Sequence, residues 1–506
     1  MKKPLVFHPL LLAFFPPLSL MAHGISYMFL SLRELLVPLA LAVGLAALLL
    51  ALLTLLLKDA PKAGIITSVL LLLFFSYGHL FTQFAAWGLP IPHGYLLAGM
   101  GLVFAALAAL LVRTRMPLRT LTILFNIAAA ALVVVPVAMI ALYLLSSRAI
   151  AVARPEPVAR SAPAARPDIY YLIVDGYGRA DILAELYAID NSAFVAGLEE
   201  RGFYVAAQSR ANYTHTHLSL ASALNMIYLD EVADQVGRDS TNRMPLRELI
   251  ADSVVFRFAR EQGYQLVAYS SGSAGTSVEK ADSYRVAPWT VSEYQSVLVN
   301  TTPLSAVLGG WQYDRHRARI RYILDDLATI PAIAEPTLTF AHILAPHPPF
   351  VFGANGEPVQ SSRDFALFDG SQYMALAPRE EYVERYAQQV TYISRELLKT
   401  IDQILAASTE PPILIIQGDH GPGSQFDWES LENSYLPERF SILNAYYLPD
   451  GGAEALYAGI TPVNTFRLVF NRYLGTDLEL LEDRSYYATM SRPFSFVDVT
   501  AQLTAP

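Results

Sequence analysis

The residues whose types best suit metal chemistry are Asp175, Asp419 and His420. Two carboxylates and an imidazole form a ligand set that suits zinc or manganese, and less well calcium. Asp175 ends the apolar run 169–175, and Asp419 and His420 follow the run in 412–419. Asp-Gly, as at Asp175, is also a common turn dipeptide, and a lone Asp-His pair is often structural, so each residue alone has a purely structural alternative. The prediction of a metal site depends on the fold bringing all three together.

The segment 212–230 supplies a candidate nucleophile. Thr216 begins THLSLASALN, which has the start and apolar spacing of a helix N-terminus, and Thr214 is the alternative. A hydroxyl there faces the positive end of the helix dipole, and a metal-bound Thr oxygen can lose its proton and attack. The competing interpretation is an ordinary N-cap Thr. His215 and His217 could form a metal-binding H-x-H pair, although such neighbours more often line a pocket.

Further polar residues are candidates for substrate binding and proton transfer. His347 follows the apolar run 337–343 and could bind an oxygen or protonate a leaving group. Arg179 and His217 are candidates for holding a phosphate, and His342, near the end of the same run, is a further substrate-binding candidate.

An alternating pattern of strands and helices would position these residues. Short apolar runs without alternation are typical of strands buried on both faces, and helix-like segments lie between them. This pattern predicts a doubly wound α/β domain with a mostly parallel sheet, in which ligands bind beyond the carboxyl ends of the strands. The runs are 169–175, 265–270, 337–343, 412–419 and 441–448, and the helix-like segments are 182–201, 314–329 and 379–406.

Composition excludes several classes of function. The 506 residues include no cysteine, so a Cys nucleophile, Cys-ligated zinc, an iron–sulfur cluster and disulfides are all excluded. The chain is 53% apolar and only 16% charged, which excludes a disordered protein. A net charge of −9 argues against a nucleic-acid partner.

Charge and hydropathy divide the chain. Residues 1–150 hold nine of the 36 basic and two of the 45 acidic residues, and their apolar runs approach the ~20 residues that a membrane span needs. The first run, which contains Pro16 and Pro17, has a signal peptide as its alternative. His79 and His93 are expected to anchor at the membrane interface. The predicted spans are 5–22, 35–57, 64–86, 94–112 and 121–145.

The basic loops predict the orientation of these spans. Lys58 and Lys62 lie in one loop and Arg113, Arg115 and Arg119 in another, which places both loops in the cytoplasm. Five spans then put the C-terminal part on the extracytoplasmic side of the cell membrane.

Three regions follow from this division. We expect a five-span transmembrane domain over 1–145, a linker over 146–167 and an extracytoplasmic catalytic domain over 168–506. The linker is rich in Pro and Ala, which predicts a semi-rigid extended tether. Its arginines could touch anionic headgroups, or it could be a solvated spacer.

Four motifs resemble the sulfatase-like branch of the alkaline phosphatase superfamily, over about residues 168–450. YYLIVDGYGRAD resembles that branch's first strand with its metal-binding Asp, and IIQGDHG its second metal strand. THLSLASALN resembles the nucleophile segment, and HILAPHPPF the stretch that brings a substrate-binding His, here His347. With the N-terminal spans and tether, the whole resembles lipoteichoic acid synthases and phosphoethanolamine transferases.

The resemblance implies a site and an activity. Asp175, Thr216, Asp419 and His420 would hold one divalent metal, commonly zinc or manganese. Thr216 would take a phosphoryl-linked headgroup from a membrane lipid and pass it to an envelope glycan or lipid acceptor through a phospho-Thr intermediate.

Two departures from the wider superfamily limit this interpretation. Sulfatases need a Cys or Ser that is converted to formylglycine, whereas Thr216 cannot give that aldehyde, so sulfate-ester hydrolysis by the usual route is not expected. Two-metal relatives use a further His after the Asp-His pair, and this chain has no histidine after His420. A full second metal site and a close match to the phosphoethanolamine enzymes are therefore not expected, although His342 and His347 could partly substitute in a different order along the chain.

Other functions remain open at this point. A phosphodiesterase or phosphatase would use the same Thr216 with water as the acceptor. A sulfuric-ester hydrolase of the superfamily is contradicted by the missing cysteine. A non-catalytic binding module on the same fold predicts a decayed metal set, whereas Asp175, Thr216, Asp419 and His420 are all retained.

Overall fold

The computed structural model describes residues 4–25, 32–146, 154, 156–160, 166–361 and 363–504. Contacts divide the chain into two compact units, which are described separately below. The first comprises residues 1–148, 291–312 and 362–365, and the second the remainder.

The described residues form eighteen α-helices and nine β-strands. The helices are α1 (His8–Gly24), α2 (Leu32–Leu57), α3 (Ala60–Ala86), α4 (His93–Arg113), α5 (Arg119–Ser146), α6 (Ala180–Tyr187), α7 (Ser192–Glu200), α8 (Thr216–Asn225), α9 (Asp230–Val236), α10 (Met244–Ala251), α11 (Val254–Glu261), α12 (Glu293–Asn300), α13 (Ser305–Asp326), α14 (Gly370–Met374), α15 (Arg379–Ala407), α16 (Leu436–Phe440), α17 (Pro462–Tyr473) and α18 (Thr500–Thr504). The strands are β1 (Ile169–Val174), β2 (Tyr204–Val205), β3 (Gln265–Tyr269), β4 (Ser283–Arg285), β5 (Thr337–Ile343), β6 (Ile413–Gln417), β7 (Asn444–Tyr447), β8 (Tyr486–Tyr487) and β9 (Val497–Asp498).

The first unit begins with the five predicted apolar helices, α1 to α5. Four of them, α2 to α5, are long and apolar enough to cross a membrane. Helix α1 is shorter, with 17 residues, and contains Pro16 and Pro17. The membrane character of the N-terminal region is therefore confirmed, while a fifth span over α1 stays a prediction.

Helix α1 is fixed among the other helices by a buried amide. Oδ1 of Asn126, on α5, accepts hydrogen bonds from the backbone N–H groups of Phe7 (3.3 Å) and His8 (2.9 Å). Nδ2 of Asn126 donates to the carbonyl of Leu5 at 2.8 Å. Nδ1 of His8 and Oγ of Ser68, on α3, share a further bond of 2.6 Å. A helix N-terminus leaves backbone N–H groups without intrahelical partners. These contacts give those groups hydrogen-bond partners that the hydrocarbon of a membrane cannot supply.

The second unit is built on a seven-stranded sheet of order β2-β7-β6-β1-β5-β3-β4. Strand β1 pairs in parallel with β5 and β6, and β3 pairs in parallel with β4 and β5. Strands β7 and β2 are antiparallel at one edge. All residues of β1, β5 and β6 are buried, as continuous apolar runs require. The predicted mostly parallel α/β sheet is confirmed.

Two predicted helices differ from the observed ones. The segment 182–201 forms two helices, α6 and α7, because Ala188 adopts a left-handed conformation (φ +52°) that ends the first. The helix predicted over 314–329 begins nine residues earlier, at Ser305, and a 3₁₀ helix follows it from Leu327. The long helix predicted over 379–406 is observed as α15.

The predicted linker 146–167 lies largely outside the described residues. Of its described part, Arg160 donates its backbone N–H to the carbonyl of Gly475 (2.8 Å) and pairs with Asp477 at 2.8 Å. The tether and the domain boundaries of the sequence analysis stay predictions.

Replacing Asn126 by Leu should destabilise the first unit. The substitution leaves the backbone groups at the start of α1 without partners, which should cost roughly 1–3 kcal/mol in the free energy of unfolding. Titration of the purified full-length protein with a denaturing detergent measures this loss. The control is Thr120→Leu, at an exposed position on the same helix. Equal stability of the two variants would contradict the role given to Asn126.

Candidate active site

Three neighbouring strands carry polar residues to one edge of the sheet. Strand register pairs Ile173 of β1 with His342 of β5 on one side and with Gln417 of β6 on the other. Asp175 directly follows β1, and Asp419 comes two residues after Gln417. Because these strands are parallel, the three side chains meet at their carboxyl ends, where open α/β sheets bind ligands.

The cluster is compact. One ligand atom each of Asp175, His342 and Asp419 lies within 4.8 Å of the others, and all three residues are buried. Nε2 of His342 is 3.0 Å from Oδ2 of Asp175. Nε2 of His420 is 3.6 Å from Oδ1 of Asp175 and 3.3 Å from Oδ2 of Asp419. The predicted ligands Asp175, Asp419 and His420 are therefore together, and His342 joins them.

The residues of this cluster fit a divalent cation. Among the described residues, Oδ1 of Asp175 and Oδ2 of Asp419 are buried and have no hydrogen-bond partner. The other oxygen of Asp419 accepts from the backbone N–H of Gly176 at 3.1 Å. Buried carboxylate oxygens without a partner are costly, and a cation held between them removes that cost. Carboxylates together with imidazoles are the donors that zinc and manganese accept.

Protonation of the cluster also suits a metal. Burial raises the pKa of Asp175, but the neighbouring imidazoles, His347 first, outweigh burial and hold that pKa well below its ordinary value. Burial, and then the charge of Arg439, lowers the pKa of His420. An ionised carboxylate and a neutral imidazole are the forms that coordinate a metal.

The predicted nucleophile borders the cluster. Thr216 is the first residue of α8, and its Oγ1 lies 3.1 Å from Nε2 of His420. Thr214 is fully buried and its Oγ1 donates to the carbonyl of Ala488 instead, at 3.4 Å. The geometry therefore favours Thr216 over the alternative.

The two histidines that flank Thr216 differ in their surroundings. Nε2 of His215 lies 2.9 Å from the carbonyl of Ala488, and its ring packs edge-on against Trp428. His217 is half-buried, and desolvation, followed by the charges of Arg243 and His342, lowers its pKa to about 3. His215 thus contacts Ala488 and Trp428, whereas His217 adjoins the cluster as an electrostatic neighbour, and an H-x-H metal pair stays a prediction.

His347 lies near the cluster, as expected of a substrate-binding residue. Its backbone N–H donates to the carbonyl of Asp175 at 3.0 Å, and its ring centroid is 6.4 Å from that of His420. Burial lowers the pKa of His347, but the charges of Asp175 and Asp369 outweigh burial and raise it overall.

Arg179 is held by other groups. Nε and Nη2 bind the carboxylate of Asp181 at 2.8 and 2.7 Å, and Nη1 donates to the carbonyl of Ser209 at 2.8 Å. Its guanidinium is thus used in local contacts, and its role in holding a phosphate stays a prediction.

Two further residues, Arg439 and Asp369, were not identified from sequence. They form a fully buried ion pair of 2.6 Å. Arg439 also donates through Nε to the carbonyl of Thr214 (3.0 Å) and through Nη1 to that of Gly421 (3.2 Å). It thereby joins the loop before Thr216 to the loop after His420. Both are charged residues in polar stretches of the sequence, and nothing in those stretches indicated that their side chains are buried.

His342 also has a supporting partner that sequence did not indicate. Its Nδ1 shares a hydrogen bond of 2.9 Å with Oγ1 of Thr276, which leaves Nε2 directed at Asp175. Metal-binding histidines are commonly oriented by such a bond through the second ring nitrogen.

Comparisons with known proteins agree with this fold. The sulfatase family model matches residues 167–469, more than half of the chain. No curated protein matches the sequence.

Similar solved structures include domains of phosphoethanolamine transferases and sulfatases. They include the zinc complex of the periplasmic domain of EptC from Escherichia coli (11% identity, TM-score 0.44, 68% of this chain and 96% of that chain). The soluble domain of lipooligosaccharide phosphoethanolamine transferase A from Neisseria meningitidis has 14% identity and a TM-score of 0.37, covering 63% and 91%. BT1596, a 2-O GAG sulfatase, has 12% identity and a TM-score of 0.39, covering 65% and 74%.

The family match spans the central sheet, the cluster at its edge and the candidate nucleophile. The chain therefore belongs to the sulfatase family, in the sulfatase-like branch of the alkaline phosphatase superfamily of metal-dependent enzymes.

Proposed function

We propose that this protein is a membrane-bound transferase that moves a phosphoryl-linked headgroup from a lipid to an envelope acceptor. The observation that carries the proposal is the position of Thr216. Its hydroxyl stands at the N-terminus of α8, 3.1 Å from Nε2 of His420. The adjoining cluster contains two carboxylate oxygens that have no hydrogen-bond partner among the residues the structure describes. A hydroxyl so placed suits nucleophilic attack on a phosphoryl group.

The cation-binding residues in this proposal are Asp175, Asp419 and His420, together with Thr216, and His342 is within reach of the same cluster. When bound, zinc or manganese would lower the pKa of the Thr hydroxyl and shield the phosphoryl oxygens. Nε2 of His420 and Oγ1 of Thr216 either share a proton or bind the same cation, since they are 3.1 Å apart.

The side chains account for a two-step displacement. In the first step Oγ1 of Thr216 forms a bond to phosphorus while the bond from phosphorus to the lipid oxygen breaks in line. The proton of the Thr hydroxyl passes to water, and the lipid alkoxide takes up a proton, for which His347 is the proposed donor. In the second step an acceptor hydroxyl displaces Thr216 and restores it. In that step His347 recovers its proton from the acceptor hydroxyl, and the released Thr216 oxygen takes one from water.

Two features favour a lipid phosphodiester as the donor. The four apolar helices are long enough to cross a membrane, and the basic loops favour an extracytoplasmic catalytic domain, so its substrates would lie at the membrane surface. The chain also has no cysteine, and a Thr nucleophile cannot become the formylglycine of ordinary sulfatases. We therefore propose phosphoryl transfer despite the family's name.

Thr216→Ala should abolish headgroup transfer. Loss of a nucleophile removes the covalent pathway, so kcat should fall by roughly a thousandfold or more. The assay uses the full-length protein in detergent with a phospholipid whose headgroup is fluorescent and a glycan or lipid acceptor. Released diacylglycerol and labelled acceptor are counted separately.

Two variants serve as controls for this assay. Thr216→Ser should retain part of the activity, and Thr391→Ala, at an exposed position on α15, should retain all of it. Full activity in Thr216→Ala would contradict the proposal. Release of diacylglycerol with only free headgroup as the second product would identify a hydrolase instead.

Asp175→Asn and Asp419→Asn should each lose the bound metal. Removing one charged ligand from a buried cluster should weaken affinity at least about 100-fold, because second-shell changes alone cost 10–100-fold. Metal content of the purified full-length variants, measured by mass spectrometry, checks this. Asp402→Asn is the control, since its exposed carboxylate only pairs with Arg201.

The same measurement separates the two histidines. His420→Gln should release the metal if His420 is a ligand, and His342→Gln should release it if His342 is. Wild-type metal content in both aspartate variants would show that the cluster is not the metal site.

A further inference from the structure

The first unit contains a cavity of about 480 Å³ between α1 and α3. On α1 it is lined by residues spaced three and four apart, from Leu12 through Phe15 to His23. On α3 the lining runs in the same way from Leu71 through Phe75 to His79. This spacing means that each helix presents one continuous face to the cavity.

Both faces change from apolar to polar in the same direction. Leu12 and Leu71 lie at the early end of each face, whereas Ser19 and His23 on α1, and Ser76 and His79 on α3, lie at the later end. His23 follows Leu12 by eleven positions, which at 1.5 Å per residue is about 16 Å of helix. The cavity is therefore an apolar slot with hydroxyl and imidazole groups at one end.

The polar end faces the extracytoplasmic surface. Lys62 lies at the start of α3 and marks its cytoplasmic end by the distribution of basic residues. The later end of α3 is contacted by residues that follow α12: the carbonyl of Thr301 accepts a hydrogen bond from the backbone N–H of Gly78 at 3.0 Å. A Cβ on Gly78 would lie 2.0 Å from the carbonyl oxygen of Asn300, so this approach depends on glycine. Thr301 completes the lining of the cavity.

We propose that this cavity binds one acyl chain of a phospholipid, with the phosphate and ester oxygens at the end formed by Ser19, His23, Ser76, His79 and Thr301. A slot lined by leucine and phenylalanine matches a hydrocarbon chain. The hydroxyls of Ser76 and Thr301 already donate to the carbonyls of Leu73 and Leu298. The groups that would donate to the ester and phosphate oxygens are therefore the imidazoles of His23 and His79 and the hydroxyl of Ser19. The proposal rests on the proposed function, because it identifies the bound lipid as the donor. It also assigns His79 a lipid-binding role beyond interfacial anchoring.

Photocrosslinking tests the proposal without requiring turnover. The probe is phosphatidylethanolamine with a diazirine at the end of one acyl chain, reconstituted in nanodiscs with the full-length Thr216→Ala variant. A second arm uses a free fatty acid with the same diazirine chain. Crosslinked peptides are mapped by mass spectrometry.

The expected crosslinks of the phospholipid lie on the cavity faces of α1 and α3. Leu71→Trp, which fills a partly exposed position of the slot, should lower them about tenfold. Leu12→Trp should do the same from the other helix. Leu48→Trp, on the exposed face of α2, should leave them unchanged.

Two outcomes would overturn the proposal. One is crosslinks spread over α2, α4 and α5 and unaffected by Leu71→Trp. The other is equal labelling by the free fatty acid, which would show a site for any acyl chain. Neither depends on Thr216, so cavity labelling together with full transfer by Thr216→Ala would reject the proposed function alone.

Discussion

The main constraint on the catalytic part of this protein comes from two buried carboxylate oxygens that have no hydrogen-bond partner within the described part of the chain. Oδ1 of Asp175 and Oδ2 of Asp419 approach the same point from adjacent parallel strands. Two negative charges placed there without a counter-charge would cost several kcal/mol. The fold tolerates this arrangement because β1 and β6 lie at the centre of the sheet, where backbone pairing on both sides fixes the strand ends.

The surrounding polar contacts hold the nucleophile against that cluster. Arg439 donates hydrogen bonds to the carbonyl of Thr214, two residues before Thr216, and to that of Gly421, directly after His420. Asp369 neutralises the charge of Arg439. The guanidinium also lies over the rings of Phe426 and Trp428, at 4.7 and 5.0 Å. Packing is tight at this point, since a Cβ on Gly421 would lie 2.0 Å from the carbonyl oxygen of Glu438. A buried charge pair with several partners thereby sets the spacing between the two loops.

Sequence patterns predicted the parts of the fold that depend on local periodicity. The central strands were identifiable because a strand buried on both faces is a continuous apolar run, and their carboxyl ends then located Asp175 and Asp419. The start of α8 at Thr216 followed from its N-terminal pattern. Each of these depends on residues close together in the chain.

What sequence did not predict depends on residues distant in the chain. His342 was a substrate-binding candidate, but its position beside Asp175 follows only from the register of β5 against β1. Arg439 and Asp369 are 70 residues apart, and nothing in either segment indicates a buried pair. Residues 291–312 belong to the first unit although they follow the apolar helices by more than 140 residues, because contacts rather than hydropathy group them there.

Direct detection of a covalent adduct on Thr216 tests the central claim most directly. Full-length protein would be mixed with a phospholipid donor in the absence of acceptor, quenched in acid within one turnover, digested and analysed by mass spectrometry. We predict that the peptide containing Thr216 carries the mass of the phosphoryl-linked headgroup, and that this mass disappears when acceptor is added. An unmodified peptide, or an adduct on another residue, would contradict the account.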